Sequence, residues 1–250
     1  MATASANEDR PDVDPSPPAQ AEVVVRDRGS SKARHRGVIE VEDLSEVLTR
    51  IALRTGPNGP DAPVTQYIVA QAARHLFTRL VGDVGVGDGV APPRVLSALI
   101  GHEPFVENVL EISPHHMRRR WPIAADWYGD LISYVLRPKR YRDNEQRVAG
   151  ELLYWVVLPF GEMTSRFVAH QVATLQDPEL FRLPATLYAL WPEYQPIRDS
   201  YAEYRDSIQE IWVPLYREMM TLYRLRLRTG VEFNDVCWMF ETVVAQAAKD

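Results

Sequence analysis

From Val38 to the end of the chain, apolar residues return every three or four positions and almost nowhere alternate, which is the period of a helix rather than a strand. In VEDLSEVLTRIALRTG, residues 41–56, Leu44, Val47, Leu48, Ile51 and Ala52 form one stripe that Gly56 and Pro57 stop. VTQYIVAQAARHLFTRL, residues 64–80, repeats the pattern with Ile68, Val69, Ala72, Ala73, Leu76, Phe77 and Leu80. Nineteen prolines fall near the points where such helices should begin or end. The spacing therefore predicts an all-α protein.

Residues 1–37 break the pattern. They are rich in Ala, Ser, Pro and Asp and poor in large apolar side chains, so they read as a disordered tail. The tail ends on a basic patch, Lys32, Arg34, His35 and Arg36, which is either a solvated linker or an arm that reaches a phosphate backbone. The glycine-rich GDVGVGDGVAPP, residues 82–93, has no preceding strand and no following Gly-Lys-Ser/Thr, so it reads as a flexible loop and not a phosphate cradle.

Three short helical pieces come next, PPRVLSALIGHE, PFVENVLEIS and PHHMRRRW, each opened by proline. A short helix, a turn and a second short helix is a geometry that presents a helix to a DNA major groove. A longer helix follows in IAADWYGDLISYVLRP, with Ala125, Trp127, Leu131, Ile132 and Val135 on its packing face. Between Ser113 and Arg142 seven Lys or Arg face two acids, a local +5 in a chain whose net charge is -6. Such a reversal of sign suits phosphate neutralisation. Helical phase points Met117 and Trp121 inward. It leaves His115, His116, Arg118, Arg119 and Arg120 for a groove, with Ser113 capping the helix and Lys139 adding charge further on.

The strings AARHLF and VLEISPHHMRRRWPIAADWYGDLISYVL resemble the DNA-binding domain of bacterial TetR-type transcriptional regulators. Ile112-Ser113 stands where that family carries Val-Ser, Met117 at the packing position of its recognition helix, and Trp121 at the aromatic that closes it. Asp126-Trp127 matches the start of the family's fourth helix, whereas Glu111 replaces the turn glycine and Arg118 the phosphate-contacting tyrosine. A second register, with 47–56 and 64–73 as the first two helices, remains open. The resemblance implies a helix-turn-helix domain over 38–140 that binds double-stranded DNA. It also implies a larger helical bundle over 141–250 that binds a small apolar or aromatic effector and forms a homodimer, with repression as the usual outcome.

The second half is helical and aromatic. Trp155, Phe167, His170, Tyr188 and Tyr204 are the candidate effector contacts, although core packing is the commoner fate of such rings. Pro159 and Pro214 are expected to break helices. No catalytic motif, cofactor fingerprint or metal-ligand set is present, so neither an enzyme nor a cofactor is expected. His115-His116 diverge around a helix and do not make a zinc pair. No apolar run approaches the ~18 residues of a membrane span, the beginning lacks the apolar core of a secretory signal, and Cys237 is the lone cysteine, so a cytoplasmic protein is expected. The competing reading is an all-helical ligand-binding or protein-interaction module without specific DNA binding.

Overall fold

The computed structural model describes residues 19–30, 32–82, 92–175 and 183–247. The first eighteen residues of the expected tail and most of the expected glycine-rich loop lie outside them. The described chain is mostly helical, with one small two-stranded sheet at its N-terminal end.

That sheet corrects the expectation of a disordered segment up to residue 37. β1 (Gln20–Arg26) and β2 (Ala33–Glu40) pair antiparallel from Gln20 opposite Glu40 to Arg26 opposite Ala33. The register shifts between Val23 and Val24, which face Gly37 and His35, so Arg36 is the extra residue of a bulge and Gly37 supplies its φ of 120°. Val23 and Val25 alternate into the core while Glu22, Val24 and Arg26 face out. The run of three valines is the strand signal that the polar composition hides.

Residues 41–55 are turns, not the helix that their stripe predicts. Leu44, Leu48 and Ile51 do point inward. One local turn survives, with the Leu48 N–H on the Leu44 carbonyl at 2.8 Å, but other backbone donors of the segment are taken by acceptors from elsewhere. The Leu44 N–H donates to Asp61 Oδ1 at 2.9 Å, the Arg50 N–H to Asp130 Oδ1 at 2.9 Å and the Ala52 N–H to the Arg120 carbonyl at 2.8 Å. Gln66 brackets Glu42, accepting its N–H at 3.0 Å and donating to its carbonyl at 2.5 Å. Asp43 accepts from both the N–H and the hydroxyl of Ser45, a local turn that competes with a helix start.

The helices follow in order: α1 (Pro63–Phe77), α2 (Pro92–Ile100), the single turn α3 (His102–Pro104), α4 (His115–Arg120) and α5 (Ala124–Val135), then α6 (Pro138–Trp155), α7 (Phe160–Leu175), α8 (Leu183–Leu190), α9 (Gln195–Leu222) and α10 (Phe233–Ala247). Proline opens α1, α2 and α6, where its missing N–H costs nothing. Pro159 separates α6 from α7 as expected, but α9 runs through Pro214 without a break. Pro214 and Glu210 both lie on the exposed side, so water can take the Glu210 carbonyl that the proline leaves free.

Among the described residues two apolar cores result. The first joins β1, α1, α2, α4 and α5 and takes in Leu183, Leu187, Trp191 and Ile197 from α8 and the start of α9. The second is built by Val148, Leu152, Met163, Phe167, Ile208 and Trp212 between α6, α7 and α9. The buried free thiol of Cys237 lies on α10. No helix among the described residues is long and apolar enough to cross a membrane.

Candidate nucleic-acid interface

α4 carries HHMRRR, and the two side chains expected to face inward do so. Met117 and Trp121 are fully buried. The Trp121 indole N–H donates to Asp130 Oδ2 at 2.8 Å, its ring lies 4.8 Å from that of Trp127, and its carbonyl meets His102 Nε2. Trp127 in turn donates to the Ile100 carbonyl at 3.1 Å. Two tryptophans thus fasten α4 to α5 and to the end of α2.

Arg120 does not belong to the outward surface. It is buried, donating from Nε to Thr65 Oγ1 at 2.7 Å, from Nη1 to the His116 carbonyl at 3.0 Å and from Nη2 to the Pro57 carbonyl at 3.0 Å. Burial, and then the charge of Arg119, pushes its guanidinium down to about 10, so it stays charged at neutral pH. It lies three residues from Met117, on the inward side. Its charge is spent tying α4 to α1 and to the turn before it.

Ser113 is not a side-chain cap either. Pro114 holds the cap position with no side-chain hydrogen bond, and the Ser113 N–H is taken by the Arg26 carbonyl at 3.1 Å. Arg118 is exposed but engaged, its Nε and Nη2 donating to Glu103 at 2.7 and 2.8 Å. That pairing lowers the Glu103 carboxyl and raises the Arg118 guanidinium. Arg119 and His115 are exposed, and Arg119 makes no ion pair among the described residues. His116 is half-buried and held down at about 4, first by burial and then by Arg120, His115, Arg119 and Arg26, so it is neutral at pH 7.

The cluster that acts on His116 contains a residue that the sequence reading missed, Arg26, which the hairpin brings to α4. Asp27 bridges to Ile112, the Arg28 N–H donates to the Glu111 carbonyl at 3.0 Å, and Ser113 bonds back to Arg26. Glu111 holds this joint in the left-handed region, at φ 56°. Of the hairpin cations, Arg36 and Arg34 pair with Asp27 at 2.7 and 3.5 Å, and Arg28 pairs with Glu107 at 2.9 Å. Arg26 and Lys32 are exposed and carry no ion pair among the described residues.

The other basic group, at the end of α5, is dispersed. Arg137 is buried against Glu42 at 3.4 Å, and Arg142 reaches Glu210 at 3.3 Å. Lys139 is exposed in the first turn of α6, where it acts on Asp43 and not on His116. It is therefore not part of the α4 cluster.

Of the five candidate effector contacts, Phe167 belongs to the second core, Trp155 and Tyr204 pack against it, His170 reaches it through Trp155, and Tyr188 joins Tyr204 through Tyr201. Trp155 meets His170 edge-on at 5.5 Å, with His170 Nε2 3.1 Å from Glu151, while Phe167 sits in the second core between Trp212 at 5.3 Å and Phe240 at 5.1 Å. Tyr188 stacks on Tyr201 at 4.3 Å, and Tyr204 lies between Tyr201 and Tyr141 at 5.7 and 4.5 Å. These rings fill space between helices and pair with one another. No grouping of His, Cys, Asp and Glu able to hold a metal occurs among the described residues. No family model, curated protein or solved structure matches the chain.

Proposed function

We propose that the chain is a DNA-binding regulator that contacts the phosphate backbone through the joint between the β1–β2 hairpin and α4. The observation that carries this reading is the backbone pairing at Asp27–Ile112 and Arg26–Ser113, which brings the charge of Arg26 to the His116 side chain on which Arg119 and His115 also act. Residues 26–36 and 103–120 together hold eight Lys or Arg and four acids, a net +4 in a chain of -6. The basic end of the supposed tail is thus a fixed part of the surface rather than a loose arm. The TetR-type resemblance of the α4 region supports the same reading, with α6 to α10 as the part that dimerises and senses an effector.

Arg26, Lys32 and Arg119 carry no protein carboxylate partner among the described residues, so binding to duplex DNA should weaken with salt at a slope of about -3 on logarithmic axes. Fluorescence anisotropy against DNA flanking the gene measures this. The double substitution R26A/R119A should remove most of the slope while leaving the melting temperature unchanged. Absence of binding to every duplex at low salt overturns the reading.

A helical protein-interaction module is the second reading. Leu153, Tyr154, Val157 and Phe160 stand exposed around the turn from α6 to α7, with Tyr154 and Val157 at 80% and 84% of full exposure. Retention of a partner protein by the wild type but not by Y154S/V157S, together with no DNA binding, favours it.

A further inference from the structure

A cavity of about 210 Å³ opens among α1, the end of α5, the start of α6 and the start of α8. Three guanidinium groups line it, Arg74, Arg137 and Arg140, together with the apolar surfaces of Phe77, Tyr134 and Leu183. None of the candidate effector contacts reaches it.

Two of these guanidiniums, Arg137 and Arg74, are held loosely. Arg137 pairs with Glu42, but only at 3.4 and 3.5 Å, and its one short hydrogen bond goes to the Tyr134 carbonyl at 2.7 Å. The residue is 9% exposed, its Nε has no hydrogen-bond partner, and its guanidinium lies 3.9 Å from the centre of the Tyr134 ring. A guanidinium presents five N–H donors, so a buried one held this loosely has donor capacity to spare. Arg74 is exposed and makes no ion pair among the described residues. Arg137 is also the N-cap of the 18-residue α6, whose first turn holds no acid and no side-chain cap. The free N–H groups and positive end of that helix add to the same potential.

The remaining walls decide what kind of anion fits. The volume equals that of about seven liquid water molecules, below the ~300 Å³ at which pockets for drug-sized ligands begin. Nucleotides are therefore too large. Arg137 already covers one face of the Tyr134 ring, so bare phosphate would leave the Phe77 ring and the Leu183 side chain uncovered, whereas a planar carboxylate matches the arginine fork and its ring can lie against them. We propose that this cavity is a binding site for a small aromatic carboxylate, with Arg74 and Arg137 holding the carboxylate and Phe77 and Leu183 enclosing the ring.

Benzoate is the probe, and benzamide, of the same shape without the charge, is the control. Titration calorimetry of the full chain should give benzoate an affinity at least about tenfold above that of benzamide. Arg74 is exposed, so R74Q should keep the melting temperature and weaken benzoate about tenfold. Ala70 also lines the cavity and is half-buried, so a folded A70L should fill the space and abolish binding. The proposal is overturned if benzoate at about 10 mM shows no binding. It is equally overturned if benzamide binds as well as benzoate, if inorganic phosphate at equal concentration displaces benzoate, or if R74Q binds benzoate as the wild type does. No DNA enters this experiment, so its outcome and that of the anisotropy titration are read separately.

Discussion

Asp130 sits at the centre of the N-terminal core and tests how that core is held. Its Oδ2 accepts the Trp121 indole N–H at 2.8 Å, its Oδ1 accepts the Arg50 N–H at 2.9 Å, and Arg50 Nη1 lies 4.0 Å away. One fully buried carboxylate therefore ties α4 and the turns of 41–55 to α5. The substitution D130N keeps the shape of the side chain but turns an NH2 toward one of the two donors, leaving that donor and the new amide without acceptors. Each hydrogen bond to a charged group contributes about 1.5–3 kcal/mol and each stranded donor costs about 1–3 kcal/mol. Removing a buried charge gives part of this back, so a net loss of about 2 kcal/mol at pH 7 is expected. In a chain of this length that lowers the melting temperature by about 4–8 °C. The sign with pH is fixed as well. Burial, against the bonds from Trp121 and Arg50, holds the Asp130 carboxyl above its usual value of 3.8. A raised folded value means that its contribution is full below the ordinary carboxylate range and is lost as pH climbs through the raised one. The lead of wild type over D130N, followed by thermal melts in far-UV circular dichroism, should be largest in acid and narrow toward neutrality. A D130N protein as stable as wild type at pH 7, or a lead that widens as pH rises, refutes the reasoning.

Three further outcomes are expected. In E103Q the Arg118 guanidinium loses its carboxylate partner, so duplex DNA should bind more tightly and with a salt slope steeper by about one, read by anisotropy at several salt concentrations. Deleting residues 1–37 strips Val23 and Val25 from the core, a loss of about 3–6 kcal/mol that urea denaturation would register as a lower midpoint. The Tyr223 hydroxyl lies 3.0 Å from both the Val156 and Leu158 carbonyls, so Y223F should cost about 1 kcal/mol and speed amide exchange in the turn between α6 and α7.

What the residues revealed beforehand depended on whether a local rule governed them. α1 and α5 were legible because a proline start or an apolar period marks each of them. The stripe at 41–56 misled because periodicity registers which side chains face inward and not who takes the backbone donors. Asp61, Gln66 and Asp130 take those of Leu44, Glu42 and Arg50, and all three are distant in sequence. The hairpin was masked by its charge, since Arg34 and Arg36 obtain their counter-ion only when the chain folds Asp27 against them. Arg120 was readable from phase, three positions after Met117, but its residue type argued for solvent. Only the acceptors on Thr65, His116 and Pro57 explain why it is buried. The arginine cavity had no sequence signature, because its walls come from helices more than a hundred residues apart.

Glu111 closes the joint between the hairpin and α4 at φ 56°, a backbone state that costs an L-residue about 1–2 kcal/mol and a glycine almost nothing. Glutamate and glycine codons differ by a single base. How firmly the hairpin grips the helix is therefore a quantity that one point mutation resets, and E111G, which should melt about 2–4 °C higher, reads that reserve directly.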